Sequence, residues 1–152
     1  ALRLLDAYPA ALVDADGDVA VRSSSSADWS IAVAHPDDDL VELARLRVPR
    51  HWPTDRFGVA TSGTSVHRWR VPAGPTHHLI DPLTSRPAVT DVVQATVAAE
   101  STGLAEALAK SAVIRGSHDG LKLLGRAGAW GALLLLEDGD LLGTPGTTRW
   151  LV

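Results

Sequence analysis

The sequence predicts an α+β fold in one domain, residues 1–152. Three observations carry this. Through the first hundred residues, short apolar runs alternate with Gly, Pro and Asp turn residues, the pattern of strands. Two helical stretches then follow between about 102 and 127. An apolar run at 130–136 and a tight turn come last. Strands, then helices, then a hairpin is not a repeating βαβ wind. No internal repeat or inter-domain linker interrupts the chain, and 152 residues are enough for one core.

Residues 1–8 read as the end of a helix, with Leu2, Leu4 and Leu5 apolar and Pro9 stopping it. Ala11–Val13 and Val19–Val21 read as strands joined at Asp16-Gly17, a hairpin turn in which Gly takes positive φ. Ser23 to Ser26 is a polar loop. Trp29, Ile31 and Val33 alternate on one face of a half-buried strand. His35 to Asp39 is a turn, and Leu40–Val48 is a strand with one irregular step. Pro49 and Pro53 punctuate the next stretch.

Phe57–Thr61 is a strand leading into a small-residue turn at Ser62-Gly63. Val66–Val71 and Thr76–Ile80 flank the turn Pro72-Ala73-Gly74-Pro75. In Val92–Ala99, Val93, Ala95, Val97 and Ala99 stand opposite Gln94 and Thr96. A first helix runs from about Thr102 to Arg115, with Ser101 as N-cap and Gly116 as the C′ residue. A second runs from about Asp119 to Ala127, with Leu121 and Leu124 on its buried face. Trp130–Leu136 is an apolar strand, turned back at Asp138-Gly139 into Asp140–Leu142.

Composition excludes several classes. A net charge of −4 argues against nucleic acid as a partner. With no cysteine there is no disulfide, thiolate nucleophile or Cys-based zinc site. No apolar run reaches transmembrane length. The chain opens at Ala1-Leu2-Arg3 and contains no Met, so the expectation is a removed leader or the C-terminal part of a longer protein. The compartment stays open between cytoplasm and cell envelope, with membrane contact expected only through an upstream anchor. Trp29, Trp69 and Trp130 fall on strands and are read as core or interface packing.

Four stretches carry candidate chemistry. Asp14-Ala15-Asp16-Gly17-Asp18 is not an EF-hand, because Gly stands fourth rather than sixth and Ser25 takes the place of the final Glu. An acidic hairpin turn and a ligand-lining loop both fit it. Thr61-Ser62-Gly63-Thr64 offers hydroxyls and a glycine whose backbone N–H groups could cradle an anion, or is a plain turn. Arg68 and Arg70 behind it read as solvated or as phosphate contacts.

In His77-His78-Leu79-Ile80-Asp81-Pro82, imidazole titrates near neutral pH, so His78 is a candidate proton carrier; the alternative is a strand histidine bonded to a nearby loop. Strand alternation leaves His77 exposed. Asp81-Pro82 initiates a turn. Glu106 and Lys110 are i, i+4 helix neighbours in the order that favours an ion pair.

Taken together and in this order, these stretches resemble the ApbE family, FAD-dependent FMN transferases. The resemblance covers nearly all of this chain but only the C-terminal half or so of a typical member. It implies an ApbE-like, T-fold-related α+β domain with antiparallel strands and two helices in its C-terminal half. Asp14 to Asp18 occupy the family's Asn-Ala-Gly-Gly-Asp, with Asp14 for Asn and Asp16 for the first Gly. Thr61-Ser62-Gly63 matches a family Thr-Ser-Gly. His78, Asp81, Pro82, Thr84 and Pro87 fit His-Ile-Ile-Asp-Pro-x-Thr-Gly-x-Pro, with Ser85 for Gly. Glu106-Ala107-Leu108-Ala109-Lys110 stands where the family has Asp-Ala-Leu-Ala-Thr, whose Asp and Thr bind magnesium.

The resemblance therefore implies FAD as substrate and a flavin-acceptor protein as partner. FMN would move to a Ser or Thr of that protein, with release of AMP. It casts His78 and Asp81 as catalytic, and Asp14, Ala15, Gly17, Asp18, Thr61, Ser62 and Gly63 as flavin-lining. Glu106 becomes a remnant metal ligand beside a substituted Lys110. Two unit positive charges about 4 Å apart repel by roughly 4 kcal/mol at an effective dielectric near 20, and a divalent ion doubles that. Weakened magnesium binding is the expectation, with Lys110 meeting the diphosphate instead. The alternatives are an FAD-binding protein that no longer transfers, or an FAD diphosphate hydrolase.

Overall fold

The computed structural model describes residues 2–23, 29–47, 54–72, 74–149 and 151. Twelve strands are present among them. Six are β1 (Ala10–Ala15), β2 (Asp18–Ser23), β5 (Arg56–Gly63), β10 (Val92–Ala99), β11 (Gly131–Leu136) and β12 (Leu141–Gly143). They form one antiparallel sheet, in the order β1-β2-β5-β10-β11-β12. Three separate hairpins lie between them in sequence: β3 (Ser30–His35) with β4 (Asp38–Arg47), β6 (Arg68–Val71) with β7 (Gly74–His77), and β8 (Ile80–Asp81) with β9 (Arg86–Pro87). A 3-10 turn at Leu2–Leu5 replaces the expected helix end. The polar loop beyond Ser23, Val48 to Pro53 and Ala73 lie outside the described residues.

The two expected helices form one helical span, α1 (Thr102–Arg126), broken at Gly116. Gly116 has φ 78°, so its missing Cβ permits a break where the sequence predicts a helix end. Asp91 secures the restart: its carboxylate accepts from the Ser117 backbone N–H at 2.9 Å and from the Ser117 hydroxyl at 2.5 Å. Those two bonds hold its pKa below the usual carboxylate value. At the start of α1 the Ser101 hydroxyl accepts from the Leu104 N–H, as an N-cap should.

Each face of the sheet packs a different layer. On one, Ala60, Ala95, Val97, Ala99, Ala132 and Leu134 meet Ala105, Ala109, Ala112 and Val113 of α1. Small residues on both sides bring helix and sheet close. The approach is closest at Gly58, where a Cβ would stand 2.1 Å from the Thr102 nitrogen. On the other face, Val19, Val21, Phe57, Val59 and Ala98 pack against Val33 and Leu46 of the β3–β4 hairpin. Trp130 packs beside Phe57, with ring centroids 6.4 Å apart, and Trp29 joins the same cluster. Trp69 does not pack in the core; it is 49% exposed on β6.

One alternation expected from sequence is shifted. A bulge between Val92 and Gln94 displaces Val93, and Val92 takes the core position. The β3–β4 pairing is irregular as expected, between Val33 and His35.

Candidate active site

A cleft of about 920 Å³ opens where the β1–β2 turn, the β3–β4 hairpin, the end of β5 and the first half of α1 converge. That volume is in the range of small-molecule sites. Its floor is the polar side of the sheet. Thr61 and Thr96 share a hydroxyl hydrogen bond at 2.9 Å, and the Gln94 amide donates to the Ala34 carbonyl at 3.1 Å, tying hairpin to sheet.

The cleft collects Asp14, Gly17, Asp18, Thr61, Ser62, Gly63, His78, Glu106 and Lys110, nine of the eleven residues singled out by sequence. Ala15 and Asp81 do not line it. Ala15 alternates with Asp14 along β1. The Asp81 carboxylate accepts from the Leu83 N–H at 2.9 Å and its carbonyl from the Ser85 N–H at 2.8 Å, which makes it a turn-former.

At the acidic end, the turn that places Asp14 and Asp18 is built from Asp16 at φ 57° and Gly17 at φ 91°. The Asp14 carboxylate accepts from the Gly17 N–H at 2.9 Å. Position 16 thus suits glycine, and Asp is among the few other residues that tolerate this conformation. Asp18 has its pKa raised, first by burial, then by repulsion from Glu106; Lys110 opposes this, while Asp14 and Asp16 add to it. Ser85, the other substitution for a family glycine, also has positive φ, at 55°.

The Thr61-Ser62-Gly63 segment is strand rather than turn. Its residues pair with Thr96, Ala95 and Gln94, and the Thr64 N–H donates to the Val93 carbonyl at 2.9 Å. It therefore offers side chains, not a nest of free N–H groups. Gly63 is required by a neighbour, since a Cβ there would lie 2.8 Å from the Val93 oxygen.

His78 reaches the cleft as expected, but His77 is not the exposed histidine that strand alternation predicts. His77 is tied into the structure: its Nδ1 accepts from the Leu79 N–H at 3.2 Å, so Nε2 carries the proton it donates to the Ala88 carbonyl, 3.1 Å away. His78 is the exposed one and reaches the cleft. Its pKa is lowered, first by partial desolvation, then by electrostatic repulsion from the neighbouring His67, His77 and Lys110; a backbone hydrogen bond at Val66 pulls the other way. Its neutral, proton-accepting form is favoured.

Lys110 donates its ammonium to the Glu106 carboxylate, the helix pair expected from their spacing. The donor set does not fit magnesium. Glu106 is engaged by a cation, and among the described residues no three His, Asp or Glu side chains gather to hold a metal. Arg68 and Arg70 are exposed on β6. Sequence reasoning missed His67, which lines the cleft from a positive-φ position, and the β3–β4 hairpin as its far wall. Gln94 and Thr96 were legible as a polar face, but not as a cleft floor.

Among the described residues no helix is long and apolar enough to cross a membrane. The model of the ApbE family matches residues 2–134. Among solved structures, the chain is similar to the ApbE protein of Thermotoga maritima at 25% identity and TM-score 0.78, over 93% of this chain and 44% of that one. It is similar to the Pseudomonas stutzeri flavinyl transferase ApbE, apo form, at 24% identity and TM-score 0.71, over 97% and 46%. The Vibrio cholerae flavin transferase ApbE gives 24% and 0.67, over 92% and 44%. No curated protein matches. The chain thus spans less than half the length of the solved structures it matches. A family match across most of its length, on a fold shared with those structures, makes this chain a member of the ApbE family.

Proposed function

We propose that this protein is an FAD:protein FMN transferase, moving FMN from FAD to a Ser or Thr of an acceptor protein. The observation that supports it most is the convergence of His78, Asp18, Glu106 and Lys110 on one cleft in an ApbE chain. In the reaction, the acceptor hydroxyl oxygen forms a bond to the FMN phosphorus and the bond from that phosphorus to the bridging oxygen breaks. AMP leaves with that oxygen. His78, held neutral, accepts the hydroxyl proton. Such chemistry needs alignment and charge neutralisation more than covalent help. Lys110 supplies a positive charge for the diphosphate, at the point where a divalent cation would be repelled.

The experiment is incubation of the full-length protein with FAD and an acceptor protein. A fluorescent acceptor band in a denaturing gel, with AMP in equal amount, supports transfer. The Lys110–Glu106 pair favours one second reading, a flavin-binding protein that retains FAD without cleaving it. In that case FAD is recovered intact. Free FMN and AMP without acceptor labelling mean hydrolysis. Lys110→Thr tests the charge argument: it should create a magnesium requirement for FAD binding that the parent protein lacks.

A further inference from the structure

The loop joining β5 to β6 places His67 at φ 57°, a conformation that a bulky residue seldom adopts and that persists where the surroundings hold it. Its ring lies against that of His78, centroids 5.2 Å apart and planes at 86°. That spacing and angle are the favourable perpendicular arrangement of aromatic rings. Both rings line the cleft. We infer that His67 is a positioning residue for His78: its left-handed backbone sets the two imidazoles at right angles and keeps that of His78 turned to the cleft.

The inference rests on the reading of His78 as proton acceptor in FMN transfer. An imidazole at an exposed position can otherwise turn about its side-chain torsions. A second ring at right angles restricts that rotation. The neighbouring His67 also disfavours a positive charge on His78. His78 is faced by His67 and His77 from its own side, by Lys110 and Glu106 from α1, and by Asp18 across the cleft. The aspartates at the β1–β2 and β3–β4 turns line the far rim.

The test is proton NMR titration of the histidine rings in the full-length protein without FAD, then the pH profile of transfer. His67→Asn and His67→Gly both suit the positive φ and keep the fold. Each should displace the His78 ring resonances, move its titration midpoint up, and shift the acid limb of the transfer profile to higher pH. His67→Phe, which keeps a ring without a titratable nitrogen, should leave the His78 ring placed as in the parent and still move its midpoint up. Unchanged His78 resonances and midpoint in both small-residue variants would overturn the inference. A parent protein that shows the NMR coupling but never transfers FMN would instead overturn the reading of His78.

Discussion

Strand β10 serves two regions of opposite character. Its Ala95, Val97 and Ala99 disappear into the contact with α1, where nearly every neighbour is Ala, Val or Leu. Its Gln94 and Thr96, one residue out of step, face hydroxyls, carboxylates and imidazoles. The helix side holds the sheet together. The cleft side leaves polar groups available and relies on the helix side for its rigidity. A strand whose two faces are both buried can therefore carry stability on one and chemistry on the other.

The largest effects should fall on the helix side without touching chemistry directly. Leu134→Ala removes a fully buried side chain from that layer and should cost about 3 kcal/mol. Gly58→Ala forces a Cβ into the helix N-terminus and should cost a similar amount, about 3 kcal/mol. Denaturant unfolding measures both. On the cleft side the order reverses: His78→Asn should leave the unfolding midpoint unchanged and lower transfer by roughly 10²-fold, the low end for loss of a general base. An inactive Leu134→Ala that is still fully folded would blur the division.

Two aspartates sharpen the same comparison through pH. Asp91, at the break in α1, is held below its ordinary pKa by Ser117. Its stabilisation is present above the ordinary carboxylate range and is lost as pH falls through the lowered folded value. Asp91→Ala should cost about 1 kcal/mol at neutral pH, as loss of a helix cap does, and the difference should shrink in acid. Asp18, in the cleft, is held above its ordinary pKa. Its protonated form is the one the fold favours, and that contribution is lost as pH rises through the raised value. Asp18→Asn should therefore stabilise the protein at neutral pH while weakening its function. The smallest effect expected is Ser85→Gly, which relieves a positive φ far from the core but loosens the unfolded chain, for a net stabilisation of about 0.5 kcal/mol.

What is legible in the sequence is local. Asp16-Gly17 announces its hairpin because the turn type depends on those two residues alone. Gly116 and Ser117 mark the helix break, although the chain continues as a kinked span. The differences come from distant partners. Ser62-Gly63 looks like a turn until β10 is known to pair with it. Alternation places His77 outside, but the distant Ala88 carbonyl captures it and leaves His78 exposed instead. The bulge at Val93 and the far wall formed by β3–β4 are likewise long-range features. The magnesium expectation turns on one residue, Lys110, whose helical spacing to Glu106 is readable directly.

The central claim is that this cleft takes up an adenine–flavin dinucleotide with the Lys110 ammonium against its phosphates. Titration of the full-length protein with FAD, monitored by flavin fluorescence in the presence of a chelator, addresses it directly. Saturable binding without added magnesium, weakened by Lys110→Ala and not by Lys122→Ala on the far half of α1, is the predicted result. A folded protein that ignores FAD under chelation and binds it tightly once magnesium is supplied would contradict the claim.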